Sequence, residues 1–339
     1  MESPLFKIRQ NGYFGFINAE GELIIEPQYL EAGEFQNGFT TVRLNGLLAL
    51  LDSLGRLYIK RLYRAVGPFS EGLARVQVAQ LWGFLDERGK ECIAPLFEHA
   101  GDFCEGLAPA SFEGSAGFID IQGQFSIKPL FSKTGNFSQG LAPASREGLW
   151  GFVDKTGEYR IEPQWGGASP FQGQSAIIIR DGLWGLCNRA GEETVQPQFD
   201  FVKGHAHGEF FDGMALAYRD GKYGFVSQAG EVAVEPMFDL AGDFGQGLAL
   251  VEINGAYGYI DKAGKLVIMP KFEDAGVFSD GLAQVSANGL WGYINPEGQI
   301  AIPPSFQSAA PFRNGLALTV SDGKWQYINR LGAVVWREQ

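Results

Sequence analysis

The sequence repeats itself every 34 residues from one end to the other. Ten glycines carry the period: Gly21, Gly55, Gly89, Gly123, Gly157, Gly191, Gly230, Gly264, Gly298 and Gly332. Every interval is 34 residues except the 39 between Gly191 and Gly230. A period of this length belongs to solenoids, propellers and arrays, whose units cannot bury an apolar face without a neighbour. It overrides the two domains that a length of 339 residues suggests. One elongated domain is predicted over 1–339, with copies beginning near 5, 39, 73, 107, 141, 175, 214, 248, 282 and 316.

Each copy reads as three short strands. Leu282-Ala283-Gln284-Val285 alternates, Asn288-Gly289 reverses the chain, and Trp291-Gly292-Tyr293-Ile294 runs back. Asn295-Pro296-Glu297-Gly298 turns again into Gln299-Ile300-Ala301-Ile302. Asn-Gly or Asp-Gly occupies the first turn in most copies, as at Asn11-Gly12 and Asp181-Gly182. That pair suits a type I′ hairpin, which needs positive φ at both central residues. The second turn is Asx-x-x-Gly in nine of ten copies, Ser227 being the exception. There the Asx side chain caps a type I turn that the period-marking glycine closes. No sustained helical spacing of apolar residues competes with this reading.

Connectors between copies also have fixed chemistry. Proline follows the third strand in eight of nine, from Pro27 to Pro304, with Arg61 as the exception. Proline has no N–H to give, so it is expected to end the pairing there. An aromatic stands two residues on in all nine, and a phenylalanine from Phe35 to Phe312 recurs after it. Such columns could be stacking platforms for sugars or bases. Burial is the task every copy shares, however, and exposing so many rings would make the chain insoluble. They are expected to form the core between copies.

The expected fold is therefore all-β: ten three-stranded antiparallel meanders in an open superhelical array. The alternative is a closed or nearly closed propeller-like ring. Ten three-stranded units exceed the usual four to eight propeller blades, and the chain starts and stops in phase, offering no blade shared between its termini.

An aromatic-Gly-aromatic strand, Asx-x-x-Gly after it and Ile-x-Pro-x-aromatic beyond together closely resemble the WG-repeat family. Trp82-Gly83-Phe84, Trp150-Gly151-Phe152, Trp184-Gly185 and Trp291-Gly292-Tyr293 carry the likeness, with variants at Phe14-Gly15, Tyr223-Gly224 and Tyr257-Gly258. Leu48-Ala49, Ala116-Gly117 and Gln326 depart from it. The resemblance covers residues 5–336 and implies a β-rich, bacterial scaffold with no implied activity.

Function is less legible. A net charge of −12 disfavours nucleic acid and anionic membranes. Three cysteines without ligand spacing are expected to be small buried residues in a reducing compartment. No secretory signal or apolar span is seen, so a cytoplasmic location is expected. No catalytic motif stands out; an enzyme, a cofactor and a metal site are not expected. Candidate binding residues cluster around the single insertion, within 200–212: His205, His207 and Asp212 in or beside it, and Leu216, Tyr218 and Leu250 on strands after it. First strands over about 175–252 are apolar at successive positions, so each is either doubly buried or part of a contact surface. The expected function is a non-catalytic scaffold for an unidentified protein partner. The alternative is a carbohydrate or cell-wall ligand module using exposed aromatics. The apolar first and last strands, Leu5-Phe6-Lys7-Ile8 and Val334-Val335-Trp336, also suggest end-to-end self-association.

Overall fold

The computed structural model describes residues 4–36, 38–44, 46–201 and 209–339. Their regular structure consists of strands, gathered into ten small antiparallel sheets. Blades 1 to 10 span residues 6–29, 39–63, 65–97, 99–131, 133–165, 167–199, 214–238, 240–272, 274–306 and 308–337. The turns form as their chemistry dictates. Asp181 and Gly182 have φ of 52° and 80°, the doubly left-handed pair of a tight hairpin. In the second turn, Asp120 Oδ1 accepts the N–H groups of Gln122 and Gln124, both at 2.9 Å. In the exceptional copy, Ser227 Oγ is buried without a hydrogen-bond partner.

Two features of the blades differ from expectation. Seven sheets have four strands rather than three, because the connector contributes a short edge strand such as His99–Ala100 or Lys133–Thr134. The proline also does not end the third strand. Glu91–Phe97 runs through Pro95, and Phe97 pairs with Trp82 beyond a register shift. The bulge absorbs the missing N–H, after which pairing resumes. It also explains the glycine after the tryptophan: a Cβ on Gly151 would lie 2.3 Å from Ile161 O and 2.7 Å from Pro163 N. Where the proline is missing the glycine is missing too, as at Ala49 with Arg61. In blade 10 the last strand pairs Arg337 directly with Gln326, so a side chain fits.

Blades stack face to face, and alternate residues of each strand serve opposite neighbours. Ile178 packs with Phe152, Ile161 and Phe171 of the blade 5 side, whereas Ile177 packs with Ala215, Ala217 and Val226 of blade 7. The connector phenylalanines fill these interfaces: Phe103, Phe137, Phe171, Phe244, Phe278 and Phe312 are all at most 3% exposed. Most meet an aromatic of the preceding middle strand at a ring distance of 4.6–4.9 Å, as Phe118–Phe137 and Tyr259–Phe278 do.

The array is closed: a ten-bladed propeller, not an open superhelix. Each period-marking glycine sits against the third strand of the preceding blade, a Cβ on Gly157 meeting Ile127 at 2.7 Å and one on Gly298 meeting Ile268 at 3.1 Å. By the same rule Gly21 of blade 1 lies against Val335 of blade 10, a Cβ on Gly21 meeting Val335 O at 2.5 Å. Phe6 and Tyr327 stack edge to face at 5.5 Å, and Tyr327 donates its hydroxyl to Lys7 O at 2.9 Å. Arg9 binds both carboxylate oxygens of Glu338, at 3.0 and 3.2 Å, and lies 4.8 Å over the Trp325 ring. No strand is shared between the termini. Closure needs none, because blades join through side-chain faces and not through main-chain pairing. Phe6, Ile8, Val335 and Trp336 of the apolar end strands pack at this seam, whereas Val334 stays exposed.

Candidate functional site

A third tight turn, found in most repeats, builds one rim of the ring. It lies between the connector phenylalanine and the next first strand, at pairs such as Glu71-Gly72, Glu105-Gly106, Asp212-Gly213 and Asp280-Gly281, each with positive φ at both residues. The acid or amide of one turn accepts from the same turn of the following blade. Glu71 takes the N–H groups of Glu105 and Gly106 at 2.7 and 2.9 Å, Glu105 that of Gly140 at 3.0 Å, and Asp280 that of Gly315 at 2.8 Å. Lys155 adds a charge to this belt by binding Glu105 at 3.2 Å. The polar column was visible in the sequence as an acid or amide before the glycine of Phe-x-x-Gly. It satisfies backbone donors and leaves little chemistry over.

Other shifted carboxyls are likewise engaged within the frame. Burial raises the pKa of Asp154, but hydrogen bonds from Thr156, Arg160 and Glu158 outweigh it and hold the group at about 2. Glu193 titrates low because its partial burial is outweighed by Arg180 and the Trp165 indole N–H.

A cleft of about 620 Å³ opens between blades 4 and 5. Blade 4 contributes His99, Pro109 and Ser111 to it, and blade 5 contributes Lys133, Thr134 and Trp150. A row of directly paired residues crosses blade 4 here: His99 opposite Ser111, Ser111 opposite Ala116, and Ala116 opposite Phe131. In blade 6 the same row is Gly167, Ile179, Trp184 and Phe199, with Trp184 only 1% exposed. There the indole closes the interface and donates to Asp200 O at 3.2 Å. In blade 3 the row holds Trp82, covered by Arg75 at 5.5 Å. Blade 4 has a methyl group where those blades have an indole. Two smaller clefts, of about 270 and 300 Å³, lie between blades 2 and 3. Blade 2 is the other copy without the ring, carrying Leu48 in its place. These clefts thus border the two blades that lack the ring, although neither Ala116 nor Leu48 itself lines them.

The family model described as WG containing repeat matches nine times, at 14–47, 50–81, 82–114, 117–150, 150–183, 184–223, 223–255, 257–291 and 291–325. The chain belongs to this WG-repeat family. No curated protein matches it. Among solved structures it is similar to a eukaryotic initiation factor, at 11% identity and a TM-score of 0.55, covering 99% of this chain and 96% of that one. It also matches dihydro-heme d1 dehydrogenase NirN in complex with DHE (13% identity, TM-score 0.42, 100% and 74% covered). Kluyveromyces lactis Hsv2 is a third match (12% identity, TM-score 0.38, 73% and 89% covered). At these identities the first likeness concerns the fold alone.

In this WG-repeat protein the described residues singled out around the insertion are Asp212, Leu216, Tyr218 and Leu250. His205 and His207 lie outside the described residues. Asp212 belongs to the turn belt, accepting from Gly247 N at 2.6 Å and, through its carbonyl, from Lys262. Leu250 is buried against blade 9 and Leu216 half-buried against blade 8. Tyr218 is half-buried with its ring 4.8 Å from that of Tyr223. The double apolarity of strands over 175–252 reflects burial on both faces, at Ile177, Ile178 and Leu250 alike.

The cysteines differ from one another. Cys187 is fully buried and its thiol is pushed up to about 12, chiefly by that burial, whereas Cys92 is exposed, contrary to expectation. Among the described residues no group of three or more His, Cys, Asp or Glu is disposed to hold a metal. No helix is long and apolar enough to cross a membrane.

Proposed function

We propose that this WG-repeat propeller is a non-catalytic scaffold that binds a protein partner, and that the cleft between blades 4 and 5 is its principal contact. The observation that carries this reading is that this cleft adjoins the copy whose ring is lost. The frame is otherwise filled by repeated aromatics, and the shifted carboxyls described above are engaged in caps and ion pairs. A cleft walled by small residues, a half-buried indole and exposed polar groups suits recognition more than chemistry. The carbohydrate reading has little to work with, since most connector rings are buried and Trp150 is the one aromatic lining this cleft, with a partly open face.

The test is cross-linking with affinity capture from the native host, comparing the whole protein with an Ala116→Phe variant. A protein captured by the first and lost with the second supports the scaffold reading. Turnover of any host metabolite by the purified chain, or capture of no protein, would refute it.

A further inference from the structure

We infer that the cleft between blades 4 and 5 receives the aromatic side chain of an extended, acidic peptide segment belonging to the partner. The inference rests on the scaffold reading and names the chemistry that the site would take. Its first support is the row that ends at Ala116. The aromatic missing from this row is present at the same position of the neighbouring blades as Trp82 and Trp150. Ser111 and His99, the members of the row on the open side of Ala116, both line the cleft. A planar ring supplied from outside restores the packing that the other blades achieve by themselves, and Trp150 gives it an aromatic neighbour.

The second support is the main chain. The strands His99–Ala100 and Lys133–Thr134 form free edges of their sheets, and both border the cleft. An extended segment can pair with such an edge while its side chains fill the adjoining pocket. The third is charge. The chain carries a net charge of −12, yet Lys133 and His99 are exposed at the mouth, and neither forms an ion pair with another described residue. The carboxylate beside them, Glu98, is occupied with Gly114 N at 3.0 Å. Basic groups at the mouth of a ring-sized gap favour an aromatic residue flanked by Asp or Glu.

The experiment is calorimetric titration of the full chain with capped pentapeptides: Asp-Glu-Trp-Glu-Asp, the same peptide with Ala for Trp, and Lys-Lys-Trp-Lys-Lys. The first should bind, and the other two should bind at least about tenfold more weakly. Ala116→Phe, which restores a ring behind Ser111 and His99, should weaken binding by more than about tenfold at an unchanged circular dichroism spectrum. Ser111→Tyr is the second arm should Ala116→Phe misfold; the same position holds Ile179 in blade 6 and Tyr218 in blade 7, so it accepts large side chains. Lys133→Glu, on an exposed residue, should cost about tenfold. Absence of binding by the acidic Trp peptide, or unchanged affinity in a folded gap-filled variant, overturns the inference. Host proteins captured equally by wild type and Ala116→Phe would overturn this site and leave the scaffold reading standing; capture of none would remove the scaffold reading itself.

Discussion

The seam offers a quantitative test of closure, because residues more than 300 positions apart should be energetically coupled. Phe6 is 7% exposed and Tyr327 likewise 7%, with their rings edge to face at 5.5 Å. Replacing Phe6 by Leu keeps an apolar group but removes the ring contact, at a cost of about 1 kcal/mol. Tyr327→Leu also deprives the Lys7 carbonyl of its donor, adding about 1 kcal/mol. In the double variant the ring contact is lost only once, so the total should fall short of the sum by about 1 kcal/mol. Denaturant unfolding of the four proteins measures this, and the same cycle on Tyr293 and Phe312, rings 4.8 Å apart within the array, calibrates it. Additivity within about 0.3 kcal/mol at the seam, with coupling at the internal pair, would mean that the first and last blades do not touch. The closed ring would then be wrong.

The other predictions concern the frame. Gly151→Ala places a methyl group 2.3 Å from Ile161 O, against backbone that cannot step aside, and should lower stability by roughly 1–3 kcal/mol in a thermal melt. Asp154 has its pKa depressed to about 2, so its contribution is complete above the ordinary carboxylate pKa and disappears as pH falls through the folded value. The unfolding midpoint of the wild type should therefore drop between about pH 4 and pH 2 more steeply than that of Asp154→Asn. Asp280→Ala removes the acceptor of Gly315 N and should speed hydrogen exchange there, with a stability loss of about 1 kcal/mol. At pH 8 a thiol reagent should modify Cys92 readily and leave Cys187 untouched until the protein unfolds.

What could be read in advance was whatever a single repeat decides by itself. Asn11-Gly12 and Asp120-x-x-Gly123 form their turns through local backbone preference and a local side-chain cap, and both appear as the residues predict. What involves two blades was harder to see. The acid before Gly72 looks like a solvated turn residue until the next blade's N–H groups are placed beside it. Successive isoleucines at 177–179 permit either burial or exposure, and only the face-to-face stacking of sheets decides between them. In five of the seven four-stranded blades the fourth strand was hidden because its two residues carry no detectable alternation.

Closure itself had a signal at Phe6. Its column holds Ala74, Ala108, Ala142, Ala176, Ala215, Ala249, Ala283 and Ala317 elsewhere, because in those copies the connector phenylalanine already fills the interface. Blade 1 has no described connector before it, and Phe6 takes that role against Tyr327. A ring in an alanine column is thus the mark of an interface completed from an unusual direction. Ala116 shows the inverse: an alanine in a ring column marks an interface left incomplete. Both follow from one constraint, that each blade face must be covered by something. At Phe6 the chain supplies the cover itself, whereas the blade of Ala116 borders a cleft. In a repeat protein whose regular positions are committed to holding one another, such exceptions to the column are where a partner's contribution has room to act.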